Sequence, residues 1–303
     1  MHLFRKKPPY TKRVAITPPA PSPDRSGVAI VTQLKNEETY ISEWLRFHLA
    51  VGIKHFFIYD NGSTDRTLPI VNDLLGPEQV TVMPWIFGLT DVREGHILNS
   101  QVLAFSHAIL NFGSRYRWMA FIDTDEFLLP KTGRTIEEAL VGVDGFPNIS
   151  LPWHMFGTSG HKTRPEGPIT HNYTMRHVDP MSREKNASNF KCIVDPCEVS
   201  EVSVHHFRTV SHGDITCNDS GARFTLRDRK KPEFYSSKFI QLNHYYTKSE
   251  EELHLKLARG PASPASRERY NKRVLSAVRN IMSNEVEDSE MLRFIQDNQI
   301  ELS

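Results

Sequence analysis

Two carboxylates, Asp123 and Asp125, stand two residues apart directly after an apolar run, Trp118-Met119-Ala120-Phe121-Ile122. A run of that length, cut off by charge, reads as a buried strand of a parallel sheet. Ligands of open α/β sheets gather outside the carboxyl ends of the strands, and both acids stand at such an end. Two hard oxygen donors suit Mg²⁺ or Mn²⁺, which binds through one or two carboxylates plus substrate phosphates. The plainer reading is that these acids cap the next turn. A third carboxylate, Asp60, closes the run His55-Phe56-Phe57-Ile58-Tyr59 and emerges at the same sheet edge. There it can accept the imide N–H of a uracil ring. Equally, Asp60-Asn61-Gly62 is a turn-forming cluster.

The preceding elements must position these acids. Val28-Ala29-Ile30-Val31 reads as the first buried strand, with Asn36 as N-cap of the following helix and Glu37 and Glu38 in its first turn. Ile41, Trp44, Leu45, His48 and Leu49 recur at helical spacing up to Gly52, which makes His48 a packing residue. After the second strand, Ser63 or Thr64 can cap a helix through Leu68, Val71 and Leu75, and Val80-Thr81-Val82 is a third strand. This alternation predicts an α/β fold with a mostly parallel central sheet flanked by helices. Residues 97–113 form another amphipathic helix, with Gln101 and His107 as its notable polar members.

Beyond residue 148 the chain changes character. Residues 151–161, with Trp153, Gly157 and His161, form a loop rich in aromatics, glycine and small hydroxyls, suited to packing against sugar faces. A plain aromatic-rich connector fits as well. Lys191-Cys192-Ile193-Val194, Val202–Phe207 and Phe239–Tyr246 are strand candidates, and His244 is a conceivable distal partner for the metal pair. Ser249 starts a helix with an acidic first turn that ends near Gly260. Residues 261–303 read as a C-terminal helical extension with an acidic break near 285–288. Residues 1–26 read as a disordered tail, broken by six prolines and carrying Arg5, Lys6, Lys7, Lys12, Arg13 and Arg25. Such a tail can also touch an anionic membrane face peripherally. Between this tail and the C-terminal extension, residues 27–260 read as one domain.

The charge is balanced, 37 basic against 36 acidic side chains, so bulk attraction to nucleic acid is not indicated. No run of about eighteen apolar residues predicts a membrane span, and no basic-then-apolar leader opens the chain. Cys192, Cys197 and Cys217 are odd in number and lack Cys-x-x-Cys spacing, which disfavours structural zinc and a disulfide framework. Free thiols in a reducing cytoplasm are the simpler expectation.

Several blocks taken in order carry a resemblance. They are residues 32–37 (Thr-Gln-Leu-Lys-Asn-Glu), Glu43-Trp44-Leu45, His48, Gly52, Ile58–Asp65, and Phe121–Phe127. Later come Trp153 with Phe156–His161, and His244–Glu251. The set resembles glycosyltransferases, specifically the family 2-like proteins close to glycosyltransferase family 92, over about residues 28–260. The resemblance implies a GT-A fold, a nucleotide-sugar donor, a divalent cation and inversion at the anomeric carbon. It implies that Lys35 and Asp60, with Asn61 beside them, hold the base and ribose. Asp123 and Asp125 would meet the ribose and the metal–diphosphate, His244 would complete the metal shell, and Lys248 would screen the diphosphate. Trp153 and Gly157 would line the acceptor site. The Glu-Asp pair that family 2 enzymes commonly use for the base has no counterpart here. His161 and Glu126 are the candidates, with Asp179 and Glu166 open.

The reading is therefore a metal-dependent glycosyltransferase that moves a sugar from a uridine-linked donor to a glycan or glycoconjugate hydroxyl. A phosphoryl-transfer enzyme of the nucleotidyltransferase kind would need a triphosphate substrate, and no Gly-x-x-x-x-Gly-Lys loop supports it. A non-catalytic carbohydrate-binding protein on the same fold is the other alternative.

Overall fold

The computed structural model describes residues 10–184, 188–260 and 267–302. β1 (Val28–Leu34), α1 (Ile41–Ala50), β2 (Ile53–Asp60), α2 (Thr67–Leu74) and β3 (Val80–Pro84) alternate as the apolar pattern requires. α3 (Ser100–Phe112) then leads to β4 (Trp118–Phe121). These four strands lie parallel in the order β4-β1-β2-β3. Alternate side chains feed two apolar layers. Val28, Ile30, Phe56, Ile58 and Trp118 share one core with Ile41, Trp44 and Leu45 of α1. Ala29, Val31, Phe57, Met119 and Phe121 share the other with Val102, Phe105 and Ile109 of α3. A sheet covered on both faces needs continuous apolar strands, and that is the pattern the sequence carries.

After β4 the sheet also takes in antiparallel neighbours, while most of its pairings stay parallel, as expected. β5 (Glu126–Pro130), β6 (Asn148–Met155), β7 (Phe190–Val194), β8 (Ile215–Cys217), β9 (Arg223–Thr225) and β10 (Ile240–His244) complete it. The order is β9-β8-β6-β7-β4-β1-β2-β3, with β10 joining β5 to the end of β6. β7 runs antiparallel to both β4 and β6, and β5 runs antiparallel to β10. Parallel neighbours need a long crossover, usually a helix. Between β5 and β10 the described α-helices are only Ile136–Ala139 and Ile169–Asn172.

Several local expectations change. Residues 151–155 belong to β6, not to a loop. Val202–Phe207 is a turn between the short strands Val199–Val202 and Phe207–Thr209, so His205 and His206 lie on no strand. Residues 10–26 are ordered rather than a disordered tail. Tyr10–Thr11 pairs with Ile97–Leu98, and Val14–Ala15 pairs with Val202 and Glu201. Arg25 forms a two-pronged ion pair with Asp195. Extended, proline-rich backbone suits such edge pairing. The basic residues 5–7 lie outside the described residues.

The C-terminal part is built into the domain rather than appended. α4 (Glu250–Arg259) precedes residues 261–266, which fall outside the described set, and α5 (Arg267–Ser283) follows them. Glu285–Glu287 is a strand antiparallel to Met175–His177. α6 (Glu290–Asp297) sends Met291 and Ile295 into the main core. Arg176 pairs with Asp288 at 2.6 Å, and Lys131 pairs with Glu290.

Candidate active site

The acid pair sits where β4 turns into β5. Glu126 folds this turn about itself: one carboxylate oxygen accepts the Asp123 N–H at 2.7 Å, while its own N–H donates to the Asp123 carbonyl. Trp44 of α1 donates its indole N–H to the Glu126 carbonyl at 2.8 Å. Glu126 is fully buried. Lys191, also fully buried, reaches in from β7, 2.9 Å from Asp123 and 3.6 Å from Glu126. Gln101, in the first turn of α3, donates to the other Asp123 oxygen at 2.9 Å. Burial pushes the Glu126 carboxyl well above the usual range; Lys191 opposes this, and Asp123 and Asp125 add to it. Burial works against the Lys191 ammonium, yet Asp123 and Glu126 outweigh it and raise its pKa.

His244 ends β10 directly opposite Glu126 in the antiparallel register. Its Nε2 lies 3.4 Å from Asp125 and its Nδ1 3.8 Å from Glu126. Asp125, Glu126 and His244 each offer a donor atom, all within 4.8 Å of one another. Glu126 Oε1 and His244 Nδ1 are buried without a hydrogen-bond partner. Orphaned buried polar atoms are costly, and a divalent cation satisfies them. Two carboxylates and one imidazole suit Mn²⁺, and with solvent or substrate oxygens also Mg²⁺. The residues therefore fit the ion, with Glu126 in the donor set. Asp123 is engaged by Lys191 and Gln101 instead. The Asp125 carboxyl titrates below the usual range: burial opposes this, but His244 and then Lys256 and Lys248 prevail.

α4 supplies a cationic flank. Ser249 and Glu252 form a capping box at its start. Glu252 also accepts the hydroxyls of Tyr40 at 2.6 Å and Tyr173 at 2.9 Å, which tie the helix to α1 and to the loop after Asn172. Lys248, in the left-handed region at φ +57°, holds its ammonium 4.3 Å from the Tyr40 ring. The Lys256 ammonium donates to the Tyr246 carbonyl at 2.8 Å and stands 3.6 Å from the ring centroid. Arg259 lies 3.8 Å from Glu37.

Asp60 is buried at the end of β2. Its carboxylate accepts the N–H groups of Gly62 and Ser63 at 3.0–3.2 Å, so the turn-forming role is present. The Asn61 N–H donates to Leu34, and Lys35 is exposed. Asn36 does not cap α1: at φ +57° it binds Thr64 through its side chain and Ser63 through its N–H. α1 instead starts after Tyr40, and α2 after Arg66. The Asn36 and Ser63 side chains are instead engaged in the pairing of the two loops. His48 is the packing residue expected, accepting the Leu128 N–H and bonded to the Trp44 carbonyl.

The acceptor-side residues are only partly brought together. Trp153 lies edge-on to His244, with ring centroids 4.5 Å apart. Gly157 donates to the Met175 carbonyl, and a side chain there would meet Glu285 Oε1 at 2.3 Å. His161 lies on the loop beneath the start of α4. Its Nε2 is 2.9 Å from the Asn172 carbonyl, and its own carbonyl accepts the Glu250 N–H. Lys191, Gln101 and Lys256 were not read as site residues. The signal for Lys191 was a lone cation inside the apolar strand Phe190–Val194.

A glycosyltransferase family 92 model matches residues 26–286, most of the chain. The chain belongs to glycosyltransferase family 92. A family 92 protein of Ricinus communis is 28% identical over 190 residues, 59% of this chain and 31% of that protein. One of Oryza sativa subsp. japonica is 29% identical, covering 59% and 29%. One of Arabidopsis thaliana is 28% identical, covering 70% and 38%. The chain thus spans about a third of the length of these curated relatives. Among solved structures, S. aureus TarS 1-349 with UDP-GlcNAc is 20% identical at a TM-score of 0.31, covering 49% of this chain and 39% of that one. Glucosyl-3-phosphoglycerate synthase of Mycobacterium tuberculosis, with Mn²⁺, UDP and glucosyl-3-phosphoglycerate, is 19% identical at 0.23, covering 33% and 34%. Both structural likenesses are partial, and the family assignment rests on the sequence match.

Proposed function

We propose that this family 92 chain, on a GT-A-type sheet, is a metal-dependent, inverting glycosyltransferase. It moves a sugar from a uridine-linked donor to a hydroxyl of a glycan or glycoconjugate. The observation that carries this reading is the Asp125–Glu126–His244 cluster, with its two orphaned donor atoms, at the carboxyl end of the parallel strands. These three residues would hold Mn²⁺ or Mg²⁺, whose chemistry there is to neutralise charge on the departing diphosphate. Lys248 adds a second positive charge on the same side. In this reading Asp123, held by Gln101 and Lys191, would meet the ribose, and Asp60, Asn61 and Lys35 would meet the nucleoside. Trp153 and Gly157 would line the acceptor site, Trp153 with its aromatic ring.

Inversion needs one base that takes the acceptor proton as the oxygen attacks. His161 is our candidate. Its Nε2 faces a carbonyl, so Nε2 carries the proton and Nδ1 is the accepting nitrogen. Glu126 is committed to the acid cluster. A cytoplasmic setting goes with this reading. Among the described residues no helix is long and apolar enough to cross a membrane. Contact of the basic N-terminal residues with a membrane face is testable by cosedimentation with anionic vesicles.

Calorimetric titration with UDP, with Mn²⁺ present and then chelated, tests the donor site. UDP binding should need the metal and be lost in Asp125→Ala with the fold retained. Metal-independent binding of UDP, or wild-type sugar transfer by Asp125→Ala, refutes the assignment.

A further inference from the structure

Three cations stand on the side of the acid cluster, and Lys256 among them has no acid of its own. Lys256 and Arg259 lie three residues apart on α4 and share a face, and Lys248 stands just before the helix. Arg259 has Glu37 at 3.8 Å. Among the described residues no carboxylate lies within ion-pair distance of Lys256. Its ammonium is seated on Tyr246 instead, against both the carbonyl and the ring face. A cation–π seat of this kind holds the charge in place without cancelling it.

The seat is fixed relative to the acid cluster. Tyr246 follows His244 by two residues and donates its N–H to the His244 carbonyl at 2.9 Å. The two rings are 5.3 Å apart, edge to face. Lys256 is therefore one aromatic ring removed from His244. Burial lowers the Lys256 pKa to about 8; Asp125 pulls the other way, and Lys248 and Arg259 add to the lowering. Repulsion of this kind is relieved when an anion arrives between the cations. Asp125 and Glu37 supply negative charge, but Asp125 has an oxygen directed at His244 and Glu37 lies against Arg259.

We propose that Lys256, seated on Tyr246, binds the terminal phosphate of a nucleoside diphosphate held at the Asp125–Glu126–His244 cluster. This rests on the donor reading above and adds to Lys248 a second phosphate-binding cation, one that belongs to the face of α4 rather than to a motif. A structural role for Lys256, pinning α4 onto Tyr246, would affect all ligands equally. Phosphate binding would not.

Calorimetry with Mn²⁺ present separates these. The ligands are UDP, UMP, uridine and inorganic pyrophosphate, and the proteins are wild type, Lys256→Met and Lys256→Arg. Methionine keeps the apolar stem and removes the charge. Lys256→Met should weaken UDP and pyrophosphate by about ten- to a hundredfold, the scale of one charge-assisted hydrogen bond. UMP should weaken less, uridine should be unchanged, and Lys256→Arg should recover most of the loss. Should Lys256→Met fail to fold, Tyr246→Leu removes the seat and should give the same order of losses. Wild-type UDP affinity in Lys256→Met overturns the inference and leaves the donor reading standing. An equal loss for uridine also overturns it. Lys256-dependent binding of pyrophosphate without any binding of UDP keeps the phosphate site and removes the donor reading. Binding of neither by the wild type overturns both.

Discussion

Lys191→Met tests how the site is held together before any ligand arrives. The wild-type ammonium is fully buried, 2.9 Å from Asp123 and 3.6 Å from Glu126. At an effective dielectric of about 20, attraction at these separations is roughly 5 kcal/mol per pair. Desolvation of the ions, several kcal/mol each, offsets most of this, so the intact set contributes little net stability. Removing one partner is a different matter. Asp123, whose side chain is 36% exposed, can be rehydrated, and the water screens its share of the loss. Glu126 is fully buried and cannot be. Without Lys191 its carboxyl, already raised by burial, must either stay charged without a partner or take up a proton, so the expected loss is up to about 3–5 kcal/mol, the usual cost of stranding a buried charge. Urea unfolding at neutral pH, followed by circular dichroism and tryptophan fluorescence, measures it. Adding Glu126→Gln removes the stranded charge while keeping an acceptor for the Asp123 N–H. The double variant should therefore be more stable than Lys191→Met alone, with a coupling above about 1 kcal/mol. A single-variant loss under about 1 kcal/mol, or strictly additive effects, would refute this account of the cluster.

Two further outcomes follow from residues away from that cluster. Burial depresses the pKa of His48 to about 3, although its bond to the Trp44 carbonyl pulls upward. The unfolded chain then takes up the proton first, so stability is full above about pH 6.5 and falls as pH drops toward 3. The loss from this imidazole should be about 2 kcal/mol between pH 7 and 5, and a His48→Gln variant should show a shallower slope in urea melts over that range. Gly62 turns the chain after Asp60 at φ +79°, and a Cβ there would sit 3.0 Å from Ile86 Cδ1. Gly62→Ala should cost about 1–2 kcal/mol and weaken UDP binding, because the same turn holds the Asp60 carboxylate; unchanged melting and affinity would show that the turn is not under this constraint.

What the sequence disclosed depended on how far each signal reached along the chain. The four parallel strands were legible because burial on both faces forces unbroken apolar runs, and runs are local. The acid pair was legible because charge ends such a run abruptly at Ile122. Asp60, Asp125 and His244 could be placed at a sheet edge for the same reason. Direction was not legible beyond β4. A strand's apolar pattern is the same whether its neighbour is parallel or antiparallel, and β7 shows no sign of its reversal except Lys191. That lysine carries the principal lesson. A cation in the middle of Phe190–Val194 contradicts a buried strand unless a carboxylate waits for it, and two do, about seventy residues earlier. Read with that requirement, Lys191 would have pointed to a buried acid, and Glu126, beside the Asp pair, is the one available within the motif. The capping errors have the opposite origin. Asn36, Ser63 and Thr64 are good caps by type, but the loops after β1 and β2 lie side by side at the sheet edge. Their polar groups therefore satisfy one another, through Asn36 to Thr64 and Glu38 to Arg66, before any helix can use them. Local propensity lost to a partner roughly one βα unit away, and that partner exists only because β1 and β2 pair in parallel.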